Sequence, residues 1–347
     1  MKAKIISLKV SFSLLSFFGL KNCEVVWLWW PATTVGQWQL NRIENIDMID
    51  NGISSATPLW RKILQACQDV LLDSLGYPST LRRRLNNGAL PVKLPLIEDT
   101  IWLRSVVCWH TWLNYEKNCI RYLRPGHDGD YDYLKLHIPQ LAGLVSCEIT
   151  ENYLCDISEI GGMSSSKNGD RQCTGLEDFA LQFCRELAIP VSSDHLDNNL
   201  SHSQLRLNEM EFSKFSWMPA RIYWNNLGGS HHFAAARFQA SHLGQRVPLT
   251  GRLTSYWINP QNVRLLTSKW DLFLISDNVV YGEFKDALAR LKCPFGVSHP
   301  PRWEDGEEQR FRIIWLERNQ TVPSRVSRTL AQAGFPSVGQ LLLKPEA

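Results

Sequence analysis

Two adjacent glycines, Gly228 and Gly229, separate a segment with strand character from a segment with helical character. Before them, Arg221–Trp224 reads as a short strand. After them, apolar residues recur at helical spacing over Ser230–Leu243, with Ser230 as the N-cap, and Gly244 follows in the position of a helix C-terminal glycine. This order of strand, turn and helix favours an α/β fold.

The alternation continues through the C-terminal part of the chain. We predict an extended segment, two strands and two helices there: Val247–Ile258, Trp270–Ile275, Arg310–Leu316, Glu283–Leu291 and Ser324–Ala333. These elements predict a small mixed sheet flanked by helices.

The N-terminal part is less regular. Thr57-Pro58 has the pattern of a helix start, and Gly76 ends that helix; Thr174 begins a second helix with a capping-box pattern. Two polar segments, Gly161–Asp170 and Ser192–Ser203, are predicted as loops. We therefore predict a mixed α/β region of unknown role over 1–195 and an α/β domain over 196–347.

Composition and charge are those of an ordinary globular protein. The 347 residues are 44% hydrophobic and 20% charged, which excludes a disordered or fibrous chain. Residues 201–347 carry 18 Lys and Arg against 12 Asp and Glu. This mildly basic balance is compatible with an anionic ligand or with nucleic acid.

The cysteines and the N-terminus indicate the compartment. The nine cysteines include no Cys-x-x-Cys pair, which gives no support to a disulfide framework or a zinc site. Near the N-terminus, apolar Leu8, Val10, Phe12 and Leu14 alternate with polar residues, which predicts a half-buried strand rather than a signal peptide. No stretch reaches the length of a membrane helix, so we expect a cytoplasmic protein with no membrane partner.

The glycine turn carries the strongest functional pattern. The first turn of a helix has unpaired N–H groups and the positive end of the helix dipole, and glycines let a phosphate approach the backbone. Two successive histidines in that turn suggest one of two arrangements. Either the imidazoles are neutral hydrogen-bond donors to a ligand, or a bound anion compensates their positive charge. The candidate phosphate-binding residues are Gly228, Gly229, Ser230, His231, His232 and, one helix face further on, Arg237.

The segment from about 221 to 258 resembles the signature of the ParB/sulfiredoxin-like fold. The resemblance rests on Gly229-Ser230-His231-His232-Phe233-Ala234-Ala235, then Leu243-Gly244 and Val247-Pro248-Leu249. It implies that the turn binds the phosphates of a nucleotide, for example a nucleoside triphosphate with Mg²⁺. The family often has an acidic residue before the glycine, where this chain has Asn226-Leu227, so the resemblance implies binding more directly than catalysis. The chain as a whole is similar to an uncharacterised bacterial family.

Metal binding is a weaker interpretation of two other patterns. Neighbouring helical side chains point about 100° apart and eleven residues span about 16 Å, so His231, His232 and His242 do not share one ion. The alternating Asp128, Asp130 and Asp132 offer oxygen ligands suited to Mg²⁺ or Ca²⁺, although a solvated turn explains them better.

Two alternative functions follow. In the first, the chain is a non-enzymatic module that binds protein or nucleic acid, with the glycine turn purely structural. In the second, it is a metal-dependent hydrolase that uses the Asp128, Asp130 and Asp132 cluster.

Overall fold

Two five-stranded sheets form the framework in the computed structural model, which describes residues 59–94, 100–126, 130–169, 173–276, 278–302 and 310–343. The first sheet is antiparallel throughout, in the order β2-β1-β9-β10-β8, and contains β1 (Cys119–Pro125), β2 (Tyr131–His137), β8 (Trp270–Ser276), β9 (Phe295–Ser298) and β10 (Phe311–Glu317). The second, which we call the mixed sheet, has the order β3-β7-β5-β6-β4 and contains β3 (Val145–Asp156), β4 (Ile160–Met163), β5 (Met210–Phe215), β6 (Ile222–Trp224) and β7 (Pro248–Ile258).

Helices cover the sheets. They are α1 (Leu59–Ser74), α2 (Ser79–Asn86), α3 (Leu176–Phe183), α4 (Arg185–Ala188), α5 (Ser193–Leu200), α6 (Ser230–Leu243), α7 (Pro260–Lys269), α8 (Asn278–Arg290), α9 (Thr321–Gln332) and α10 (Val338–Leu343). Apolar residues of α7 and α10 share one core with the antiparallel sheet, and those of α2, α8 and α9 share another. Helices α3 and α6 share the core of the mixed sheet.

Helix α6 is buried on almost every side. Phe233, Ala234, Ala235 and Ala236 have no exposed surface, so the apolar surface is not confined to one stripe, as expected of a helix inside the core. Helices α3, α4 and α5 all pack against it. The run of alanines leaves room for this close approach.

The two faces of the mixed sheet differ. Successive side chains of a strand point to opposite faces. On β5, Phe212 belongs to the core that contains α6, whereas Phe215 belongs to a smaller cluster with Tyr223. The cluster side of the sheet is therefore a separate surface.

The α/β class predicted from the sequence is confirmed, as is the helix over Ser230–Leu243. The sheets, however, combine strands from both sides of residue 195: β3 pairs with β7, and β1 pairs with β9. The two regions predicted as 1–195 and 196–347 therefore share both sheets.

One loop prediction is wrong and a second is wrong in part. Within Ser192–Ser203, residues Ser193–Leu200 form α5, because Ser192 caps the helix by accepting a hydrogen bond from the amide of His195. The polar composition of this segment suggested a solvated loop, but one of its polar residues, Asn199, is buried in the core. The segment Gly161–Asp170 begins inside β4. The strand predicted at Leu8–Leu14 lies outside the described residues.

None of the helices in the described part of the chain has both the length and the apolar character needed to cross a membrane. All eight described cysteines are free, and four of them are buried: Cys155, Cys173, Cys184 and Cys293.

Replacing Phe233 with alanine should destabilise the protein by about 3–5 kcal/mol, because the ring is fully buried in α6 and its loss leaves a cavity. The matched control is Leu227→Ala, since this side chain is fully exposed and its loss should cost less than about 0.5 kcal/mol. Urea unfolding of both variants measures the difference. Equal losses would show that α6 is not the centre of the core.

Candidate functional site

The glycine turn joins β6 to α6. Strand β6 ends at Trp224, and α6 begins at Ser230. The residue that caps the helix is Gly229, in the left-handed conformation with φ of +73°. The prediction that Ser230 is the N-cap is wrong by one residue, because the chain reverses at a backbone angle that glycine adopts without strain.

A neighbouring segment covers the two glycines. A β-carbon on Gly228 would lie 2.6 Å from the side-chain oxygen of Gln204, and one on Gly229 would lie 2.9 Å from a methyl carbon of Leu205. Both distances are shorter than carbon atoms tolerate. Gly229, which meets the buried side chain of Leu205, is therefore required by close packing as well as by its positive φ, whereas the exposed end of the Gln204 side chain can move away from Gly228.

The backbone at this helix start has free donors. The amide of Phe233 donates to the carbonyl of Gly229. The amides of Ser230, His231 and His232 have no acceptor among the residues that the structure describes. Their donors and the helix dipole make this end of α6 favourable for an anion.

Asn226 fixes the turn against the loop after β4. Its side-chain oxygen accepts hydrogen bonds from the amides of Ser164 and Ser165 at 3.0 Å each. Its side-chain nitrogen donates to the carbonyls of Ser165 and Gly228. A buried asparagine with this many bonds holds the loop 164–168 beside the start of α6.

His231 extends towards that loop. Its Nε2 lies 2.8 Å from Oδ1 of Asn168. Burial, with a smaller effect from the nearby charge of Lys167, lowers the pKa of His231. The imidazole is therefore neutral near pH 7 and sits beside an exposed lysine.

His232 is held from the core side. Its Nδ1 lies 2.9 Å from Oδ1 of Asn199. The side-chain nitrogen of Asn199 donates to three oxygens, those of the Leu187 and His195 carbonyls and of the Gln239 side chain. The Asn199 oxygen therefore faces His232 as an acceptor, so Nδ1 of His232 carries the proton. Its Nε2 is then the unprotonated nitrogen of the neutral ring.

A third imidazole stacks on His232. The rings of His202 and His232 lie 4.0 Å apart and nearly parallel, at 19°. Burial is the main cause that lowers the pKa of His232, and the charges of His202 and His231 add to it. In the part of the chain that the structure describes, every charged group that shifts the pKa of His231 or His232 is basic.

Arg237 lies away from this site. Its guanidinium donates to the carbonyls of Ile160 at 2.9 Å and Ser158 at 3.0 Å. These bonds tie α6 to the connection between β3 and β4, two helical turns beyond the glycines. Sequence spacing could not reveal this role, because both acceptors are backbone atoms of a distant segment.

The aspartate cluster forms part of a hairpin. Asp132 lies on β2 and pairs with Arg124 of β1, while the carbonyl of Asp130 accepts from the amide of Gly126. Asp128 lies outside the described residues. Within the described ranges, no group of three or more His, Cys, Asp or Glu side chains is placed to hold a metal ion.

The sequence interpretation named the residues at the centre of this candidate site but not those around it. Gly228, Gly229, Ser230, His231 and His232 meet at the start of α6, as predicted. The structure adds Lys167, Asn168, Asn199 and His202 from two segments that had been interpreted as loops. The polar character of those segments was the available signal.

A known family covers the same region. The family described as a family of unknown function (DUF6685) matches residues 150–344, more than half of the 347 residues. The chain belongs to this family. The match spans the glycine turn, α6 and four strands of the mixed sheet in full. No curated protein and no solved structure matches the chain.

The packing around the turn gives a stability prediction. Gly229→Ala should destabilise the protein more than Gly244→Ala. Both glycines have positive φ, +73° and +64°, which costs a β-carbon about 1–2 kcal/mol. Only the β-carbon at 229 also meets a neighbour, since the space around Gly244 is open. Chemical denaturation of both variants measures the two costs, and a smaller loss for Gly229→Ala would refute the close packing.

Proposed function

We propose that this chain is a cytoplasmic protein that binds a phosphorylated small molecule, in the first place a nucleotide, at the N-terminus of α6. The observation that carries the proposal is the convergence of basic and donor groups around the free amides of Ser230, His231 and His232. Lys167 on one side and His202 on the other complete this group.

The electrostatics favour an anion. The helix dipole contributes a fixed positive potential, and Lys167 contributes a full charge. Among the described residues, the charges that shift the pKa values of His231 and His232 are all basic, and no carboxylate is among them. A phosphate would balance this potential and accept hydrogen bonds from the amides.

The histidines supply groups that respond to the ligand. The Asn199 contact leaves Nε2 of His232 unprotonated in the neutral ring. That nitrogen can accept a proton from solvent when an anion arrives, and the imidazolium then donates to it. Such a group is suited to ligand-linked protonation, and a role as acid or base in a reaction would use the same nitrogen.

A nucleotide is preferred over phosphate alone because of the resemblance of residues 221–258 to the ParB/sulfiredoxin-like signature, in which this turn binds nucleotide phosphates. Mg²⁺ would arrive with a nucleoside triphosphate. The described residues show the order of strand, turn, helix and strand over Ile222–Ile258.

Nucleoside triphosphate with Mg²⁺ and inorganic triphosphate should raise the thermal midpoint of the protein. Lys167→Ala should weaken their binding about tenfold, since one charge-assisted hydrogen bond contributes roughly 1.5 kcal/mol. Lys135→Ala is the matched control, because that exposed lysine lies on β2 of the other sheet and should leave the affinity unchanged. Isothermal titration calorimetry gives the dissociation constants.

The double variant His231→Ala with His232→Ala tests the position of the site. It should lose most of the thermal shift. A full shift in this variant would place the ligand elsewhere. Binding of DNA or RNA with a steep dependence on salt, and without any nucleotide effect, would instead support the nucleic-acid module.

Binding should tighten as the pH falls from about 8 to about 6.5. Burial lowers the pKa of both His231 and His232, so both imidazoles are neutral in the free site in this range. A bound anion favours the imidazolium and raises these pKa values, so binding takes up protons and is favoured at lower pH. Calorimetry in buffers with different ionisation enthalpies measures the uptake. The control is the double variant His231→Gln with His232→Gln, which lacks both imidazoles. Its proton uptake on binding should be only that of the ligand's own titrating groups.

A further inference from the structure

A cavity lies on the face of the mixed sheet opposite α6. Its volume is about 540 Å³, the size of a small-molecule pocket. Ser213 and Phe215 of β5 line it, together with Tyr256 of β7. Phe212, next to Ser213 on the strand, belongs to the core that contains α6, so the cavity lies on the other face of the sheet from α6. Ser164, from the loop beside the glycine turn, also lines it.

The charged groups of this cavity are cations. Arg104 and Arg302 line it, and none of its lining residues in the described part of the chain is acidic. Arg302 is exposed, and the residues that the structure describes provide no acceptor for its guanidinium. Only its backbone carbonyl is used, by the amide of Cys108. A guanidinium in such a position matches the geometry of a carboxylate or phosphate.

His110 presents an unused polar atom. Its Nδ1 is buried and has no hydrogen-bond partner in the structure. The ring packs against two aromatic side chains, with its centroid 4.7 Å from that of Tyr256 and 5.7 Å from that of Phe215. Burial lowers the pKa of His110, so the ring is neutral near pH 7. A buried nitrogen without a partner is unfavourable, and a ligand in the cavity would satisfy it.

One wall of the cavity is aromatic. Phe215 and Tyr256 pair across the parallel strands β5 and β7, and their rings are parallel within 6° at 5.1 Å. Beside them, the hydroxyl of Ser213 accepts from the side-chain nitrogen of Asn225, whose own oxygen is buried without a partner. Rings stacked on each other in this way present their edges to the cavity, which suits edge-to-face contact with an aromatic ligand.

We propose that this cavity binds a small planar organic molecule that carries one oxyanion. The oxyanion lies at Arg302 and Arg104, the planar body lies along Phe215 and Tyr256, and His110 Nδ1 makes a hydrogen bond to a polar group of the ligand. The site is separate from the one at α6, and neither proposal depends on the other.

The test uses the full chain and three matched probes: benzoate, phenyl phosphate and neutral benzamide. Ligand-observed NMR should detect benzoate, phenyl phosphate or both, with the preferred one identifying the oxyanion, and should detect benzamide only weakly. The C2 proton resonance of the His110 ring should shift on binding, and its assignment follows from its loss in His110→Gln.

Arg302→Ala should weaken binding of the preferred probe about tenfold, which corresponds to the loss of one charge-assisted contact. The control is Arg328→Ala, an exposed arginine on α9 that does not line the cavity. Both variants change surface residues, so each is expected to fold.

Three results would overturn the proposal. The first is no binding of either anion up to about 10 mM, the weak end of specific affinity. The second is equal binding of benzamide. The third is full affinity in Arg302→Ala and in His110→Gln. Nucleotide binding at α6 is measured on the same samples, so the failure of one proposal is distinguished from the failure of the other.

Discussion

The burial of α6 on nearly every side is the constraint on which the other features depend. A helix in this position must satisfy its polar groups within the protein. Gln239, fully buried on α6, donates to backbone carbonyls near α4 and accepts from Asn199 of α5. Asn199 in turn fixes His232. The packing of the core therefore sets the orientation and the proton position of an imidazole at the rim.

Local signals in the sequence predicted those parts of the fold that depend on neighbouring residues. The predicted range Ser230–Leu243 matches α6, because glycines bound the helix on both sides, although the N-cap is Gly229 and not Ser230. The α/β class followed from the alternation of segments with strand character and segments with helical character along the chain. Pairing between β3 and β7 was not predictable in the same way, since it joins segments about a hundred residues apart.

Less of the candidate site than of the fold was predicted, again because distant contacts leave no local signal in the sequence. Its centre lies in one continuous turn, which a single sequence reveals. Its other members depend on contacts across the fold: Asn168 and Asn199 reach the histidines from segments whose polarity resembled that of solvated loops. The cavity behind the sheet gave no sequence signal, because Arg104, His110, Tyr256 and Arg302 come from distant positions.

The end of β6 has a mechanical consequence. Asn225 turns its side chain to Ser213 on the cavity side, and Asn226 turns its side chain to Ser164 beside the glycine turn. A single peptide unit separates the two amides, and that unit is planar and resists twisting. The positions of the two side chains are therefore linked through one rigid peptide unit, so the end of β6 is held from both faces of the mixed sheet.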